Sequence, residues 1–339
     1  MGPLKTTLKS AGASVRSSGY PGEIIVVDDG SQDPLESQLA GFEVGCPVRF
    51  LRQENQGSIF ARLHGLRESG AEYVTFIDSD DVIHPAKICD QIRMMEETGV
   101  DITYTDPSRV RHGTDHEIAE FGTARVYVET TDSLVLMMQI QPPPHSAVFR
   151  RRYLCRALEI PVVPPHRAYD SCGEVWLYRN LALHRTQVRK VPGHYAGIGI
   201  HDEERVTNHW ENIAVSALGV DESLAAACRG RGDAADCRAL LGQAAFHGWR
   251  ILPHDILPEF DRRSLAIWRE CMPVPPEKLG GKFFRTLAAV LGWEGAGRLM
   301  RRLKRPSYAQ CKTLRDEAEF AELLARLPTP PGAAREREV

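Results

Sequence analysis

The chain has 339 residues, 42% of them hydrophobic, with 42 lysines and arginines against 45 aspartates and glutamates, for a formal net charge of −3. That length and apolar content suffice to bury one large core or two modest ones. The near-balanced charge excludes the clustered basic excess of a general nucleic-acid binder, and no apolar run approaches the roughly 20 residues of a membrane-spanning helix or forms a signal-peptide core.

In chain order, "EIIVVDDGSQD" from Glu23 is a β-branched run ending in acids and glycine, the pattern of a buried parallel strand feeding a loop at a sheet edge. "PVRFLRQE" (47–54) reads as a second strand, and "GSIFARLHGLRESG" (57–70) spaces Ile59, Leu63 and Leu66 as on a helix with Gly70 at its end. "EYVTFIDSDD" follows as a strand running into acids. "HPAKICDQIRMMEETG" puts Pro85 near a helix start and Gly99 past its end, and "VDITYTD" returns as a strand. Alternating strands and helices over this stretch predict a doubly wound α/β sheet.

Proline, glycine and histidine interrupt the pattern from 107 to 144, and "IQPPPHSAVFRRRYL" reads as a loop leading into a strand and helix. "EVWLYRNLAL" (174–183) is helical, and "QVRKVPGHYAGIGIH" (187–201) reads as strand and loop. Beyond Asn208 the texture is Ala, Leu and Arg with helical periods. The expected division is therefore 1–208 as an α/β domain, 209–327 as a helical region and 328–339 as a flexible tail. The eight cysteines include no C-x-x-C pair, so reduced thiols in a cytoplasmic setting are expected, with neither zinc knuckle nor redox dithiol.

Three carboxylates, Asp78, Asp80 and Asp81, crowd the end of the 72–81 strand. Like charges so close repel unless a cation, a shared proton or a helix N-terminus offsets them. One acid would cap the helix near Pro85; three exceed that need.

"EIIVVDDGSQD", "ENQGSIFARLHGL" and "AEYVTFIDSDDVIHP" together resemble, in order and spacing, the donor-binding half of the inverting family 2 glycosyltransferases of GT-A fold. The resemblance is strong over about residues 5–105 and weak over 140–210. It implies transfer of a sugar from a nucleotide-diphosphate donor, UDP by default, to a hydroxyl of a glycan or lipid-linked glycan, as in cell-envelope polysaccharide synthesis. It also implies a D-x-D motif at Asp78 and Asp80, in which Asp80 is the main ligand to Mn²⁺ or Mg²⁺ and Asp78 and Asp81 support it. Both ions favour carboxylate and phosphate oxygens.

By the same resemblance Asp29 faces the donor base with Asp28 beside it, Gly30 and Ser31 let the backbone turn there, and Gln56, Gly57 and Arg62 pass beneath the donor. The catalytic base falls on Glu174, with Asp170 as alternate, at the start of the "EVWLYRNLAL" helix. "IGIHDEERVT" is similar to the loop that covers the diphosphate, with His201 and Arg205 as candidates. The resemblance breaks at the start: "TTLKSAGASVRSSGYPG" corresponds to the first helix and its exit, the family's opening strand is not found before it, and a truncated start is the expectation.

"KFFRTLAAVLGWEGAGRLMRRLKR" (282–305) mixes large apolar residues with arginine and lysine, and suggests either a helical pair with a solvated basic face or peripheral contact with the inner face of a membrane. Two other functions stay open. "FIDSDDV" also matches haloacid-dehalogenase-like phosphatases, with Asp78 as nucleophile and Asp80 as acid/base. A non-catalytic glycosyltransferase-like scaffold is the other. The lack of G-x-G-x-x-G after the first strand argues against a dinucleotide-dependent dehydrogenase.

Overall fold

The structure is a computed structural model and describes residues 2–111, 121, 125–200 and 209–330. Two compact units divide the chain: Met1–Pro161 with His184–Glu203, and Val162–Leu183 with Glu204–Val339. Residues 162–183, in the expected α/β domain, thus group with the helical C-terminal part.

The first unit is α/β. Helix α1 (Gly2–Ser18) precedes β1 (Ile24–Asp29), and after the single turn α2 (Leu35–Gln38) comes β2 (Val48–Gln53), parallel to β1 with Ile24 opposite Val48. Leu8 of α1, Val26 of β1 and Leu39 form one small core. Helix α3 (Ser58–Glu68) follows, then the two-residue strands β3 (Tyr73–Val74) and β4 (Val82–Ile83) on either side of the acids, then α4 (Lys87–Thr98). Gly99 ends α4 at φ 70°, a left-handed conformation that costs glycine little.

Strands β5 (Ile102–Arg111), β6 (Val148–Arg150) and β7 (Val188–Ile200) complete a second sheet in the order β3-β6-β5-β7-β4. Between β5 and β6 lie α5 (Ser133–Val135) and a π-helical turn, and α6 (Arg151–Leu158) follows β6. Only β5 and β7 pair in parallel there, across register shifts beside Asp106 and Pro107. Proline lacks a ladder donor and is tolerated at such irregularities, which is why the interrupted pattern at 107 conceals a continuing strand. The expected 72–81 strand is shorter in the ladder: β3 pairs with β6 over two residues, and β1 with β2 stands as a separate sheet. Ile92, Met95, Val100 and Val148 pack between α4 and this sheet.

The second unit is helical: α7 (Gly173–Leu181), α8 (Trp210–Ala227), α9 (Ala235–Ile251), α10 (Pro258–Glu270), α11 (Pro276–Leu279), α12 (Lys282–Lys304), α13 (Tyr308–Cys311) and α14 (Glu317–Ala325). Its aromatic core joins Phe246, Trp249, Trp268 and Phe284. Asp261 is buried beside it, accepting from Trp249 Nε1 at 2.8 Å, from Arg298 at 3.2 Å and from Arg301. The apolar pattern of 282–305 breaks at Gly292 (φ 70°, ψ 165°), which splits α12 into two helical stretches.

Candidate active site

The strand β1 ends in two carboxylates with different surroundings. Asp28, 3% exposed, accepts from Ser31 N (2.8 Å), Leu35 N (3.1 Å) and Arg52 (3.2 Å). Burial works to raise its pKa, yet these donors and the Arg52 charge hold it below the ordinary carboxylate value. Asp28 therefore fixes the loop after β1. Asp29 points to the start of α3: its Oδ1 accepts from Gln56 N and Gln53 Nε2, both at 2.8 Å, and its Oδ2 from Gly57 N at 2.7 Å. A carboxylate at a helix N-terminus suits the dipole and the unpaired N–H groups there. Gly30 sits at φ 79°, and a Cβ on it would come within 2.8 Å of Asn55 N, so the close approach of these two turns requires glycine.

Along α3, the Arg62 side chain is largely buried and donates to Asp78 Oδ1 at 2.5 Å. Desolvation pushes the Asp78 pKa up, but the Arg62 charge and hydrogen bond, with a smaller pull from His145, set it below the usual carboxylate range. Asp81 turns inward: Gly199 N donates to its Oδ1 at 3.1 Å, and His145 Nδ1 lies 2.9 Å from its Oδ2. Asp80 is half-buried between them in the chain.

Helix α1 braces this acid loop. Thr7, Ser10 and Ser14 occur at i, i+3 and i+7, hence on one face, and are buried. The Thr7 hydroxyl is shared between Ser79 O at 3.0 Å and Pro3 O at 3.1 Å, while Ser10 and Ser14 hydroxyls accept from Ile83 N and Ile88 N, each at 3.2 Å. Small hydroxyl residues let a helix approach a loop and still satisfy its backbone.

His145 was not among the residues expected at the site. It is fully buried in the turn Pro144–Ser146; its Nδ1 approaches Asp81 without hydrogen-bond geometry, and neither ring nitrogen has a hydrogen-bond partner among the described residues. Ser146 anchors that turn by accepting from Thr105 N (3.1 Å) and donating to Thr105 O (2.6 Å), while Gln91 Nε2 donates to Ser146 O at 3.1 Å. Its signal in the sequence is a histidine locked after three prolines, which binary patterning alone reads as loop. Beneath the same layer Lys87 is fully buried, 3.5 Å from Thr75 Oγ1, and burial pulls its pKa down to about 7.

Glu174 and Asp170 belong to the second unit. Glu174 is exposed in the first turn of α7, and Asp170 is half-buried in the 3₁₀ turn before it. Both repel charge on the buried Cys172 between them, whose thiol burial already drives well above its ordinary pKa, so this cysteine is no nucleophile. His201 and Arg205 lie outside the described residues. Among the described residues no group of three or more His, Cys, Asp or Glu side chains is arranged to hold a metal by itself.

Comparison with known proteins concerns the family and the fold. Residues 3–155 match the model of Glycosyl transferase family 2. An uncharacterized glycosyltransferase of Rickettsia felis is 30% identical over 88 residues, 26% of this chain and 15% of that protein. The uncharacterized glycosyltransferase YibD of Escherichia coli is 33% identical over 81 residues, 24% of each chain. The chain thus spans less than a quarter of the length of these curated relatives. Among solved structures, S. aureus TarS 1-349 in complex with UDP-GlcNAc superimposes with a TM-score of 0.63 at 16% identity, over 92% of this chain and 89% of that one. The fold is shared with TarS and is of GT-A type, and residues 3–155 are similar to Glycosyl transferase family 2.

Proposed function

We propose that this chain transfers a sugar from a nucleotide-diphosphate donor, a UDP-sugar by default, to a hydroxyl of a glycan or lipid-linked glycan, with inversion at the sugar carbon and with a divalent metal. The observation that carries the reading is the division of labour in the acid loop: Asp81 is held inward by Gly199 and His145, and Asp78 is paired with Arg62. Each of these two carboxylates thus has its own partner, and the Arg62 charge holds Asp78 below the usual carboxylate range. The UDP assignment draws on TarS, solved with UDP and with UDP-GlcNAc.

The donor set suits Mg²⁺ or Mn²⁺, because such an ion takes one or two protein carboxylates and completes its shell from water and substrate phosphates. Asp80 and the second oxygen of Asp78 would hold it, with Asp81 supporting the loop from within. When bound, the ion would offset negative charge on the departing diphosphate. Asp29, fixed by Gln53, Gln56 and Gly57, keeps acceptor capacity for a base N–H. Gly30, Ser31, Gln56 and Gly57 provide the floor of that subsite, and Arg62 orients Asp78. His201 and Arg205 keep their proposed role over the diphosphate. Glu174, or Asp170 in its stead, takes the acceptor hydroxyl proton.

Calorimetric titration of the full chain with UDP, GDP and ADP, with and without Mn²⁺, tests this reading. Metal-dependent binding of one nucleotide, abolished in Asp80→Ala, is expected. A folded chain that binds none of them would be a non-catalytic scaffold. With a donor in hand, Glu174→Gln should lower kcat by at least about 100-fold while nucleotide affinity holds; if Asp170→Asn does so instead, the base assignment passes to Asp170.

A further inference from the structure

We propose that the exposed apolar and basic side chains of the two stretches of α12 form a docking surface for an anionic lipid bilayer. Part of α12 is already used: Phe284, Ala288 and Ala296 join the aromatic core with Phe246, Trp249 and Trp268. Yet large apolar side chains remain outside. Phe283 and Val290 are 72% and 80% exposed, two helical turns apart on the first stretch, and Leu299 and Leu303 are exposed one turn apart on the second. No burial requirement of the fold accounts for them.

The charges on the same helix are one-sided. Its single acid, Glu294, is neutralised by Arg269 at 2.6 Å, and Arg298 and Arg301 are spent on Asp261. Lys282, Arg302, Lys304 and Arg305 remain exposed at or beside the two ends of the helix. Exposed apolar residues interleaved with unopposed cations match the interface of a bilayer bearing anionic headgroups, where the apolar side chains enter the acyl boundary and the cations stay at the phosphates.

The same features argue against other occupants. A second copy meeting this face about a two-fold axis would set cations against cations. Nucleic acid would satisfy the charges and leave Phe283 and Val290 in water. The break at Gly292 and the lack of any helix long and apolar enough to cross a membrane, among the described residues, fit a helix that lies on a surface.

The inference is independent of the donor chemistry, and the test keeps the two apart. The full chain is sedimented with phosphatidylcholine vesicles with and without phosphatidylglycerol, at low and high salt, and nucleotide binding is measured on each variant in parallel. Binding to the anionic vesicles alone, weakened by salt, is expected. Arg302→Glu, Lys304→Glu and Arg305→Glu together should weaken it by roughly 100-fold, and Phe283→Ser with Val290→Ser should weaken it at every salt concentration, with nucleotide binding unchanged. Equal binding to neutral vesicles, no binding at low salt, or variants that bind like the parent chain would overturn the proposal. Concentration-dependent self-association removed by the same variants would assign the face to a second copy.

Discussion

The guanidinium of Arg62 and the carboxylate of Asp78 meet at 2.5 Å, joining α3 to the first acid of the loop. Arg62 therefore orients Asp78 and lowers its proton affinity, both of which the proposed donor site needs. Arg62→Ala is expected to weaken nucleotide binding by about tenfold or more, the range of a charge-assisted hydrogen bond. Arg62→Lys should recover part of it. Calorimetry on the two variants checks this, and equal affinity in both would remove Arg62 from the site.

His145 makes a separate prediction. His145 Nδ1 lies 2.9 Å from a carboxylate oxygen of Asp81 without hydrogen-bond geometry, and because that oxygen only accepts, a hydrogen on Nδ1 favours the contact. An asparagine side chain can present an N–H at nearly that position and alanine cannot. His145→Ala should raise the Mn²⁺ concentration that half-saturates nucleotide binding by about fivefold or more, and His145→Asn by clearly less. A purely structural role would lower the melting temperature of both variants and leave the metal titration unmoved.

Lys87 gives the pH dependence. Its amine is held at a pKa of about 7 by burial, against an ordinary value of 10.5, so between those pH values the unfolded chain binds more protons than the folded one. Stability from this group therefore rises with pH across that window, and the cost of burying the charged amine is fully present below it. Lys87→Met should stabilise the chain at pH 7 by about 1–4 kcal/mol, and the advantage should shrink as pH approaches 10. Urea unfolding of both chains at pH 7 and at pH 9.5–10 would expose an error in sign.

In the helical unit, Asp261 is the acceptor shared by Trp249, Arg298 and Arg301. Removing it leaves the buried Arg301 uncompensated. Asp261→Ala is expected to cost about 3–5 kcal/mol, measured by denaturant unfolding. The double variant with Arg301→Met should cost less than the single one.

What the sequence made legible is what local chemistry decides. The run to Asp28 and Asp29 did form a strand and Gly99 did end its helix, since each depends on a few adjacent residues. The similarity to Glycosyl transferase family 2 over residues 3–155 and the GT-A type fold were legible because three motifs occur in order and spacing. His145 was not, because its meaning lies in Asp81, far earlier in the chain. Nor was the shortness of β3 and β4, since ladder length depends on which edges find partners. Pro107 disguised the continuation of β5 because a bulge, invisible to periodicity, accommodates it.

The hydroxyl ladder of α1 has a practical corollary. Thr7 reaches Ser79 across 72 positions of sequence, Ser10 reaches Ile83 across 73 and Ser14 reaches Ile88 across 74. The acid motif is thus not a portable cassette. Grafted into another scaffold without a hydroxyl-bearing helix at its back, "DSDDV" would carry the carboxylates but not the backbone that aims them, and a library that randomises residues 7, 10 and 14 would reshape the loop without touching a single acid.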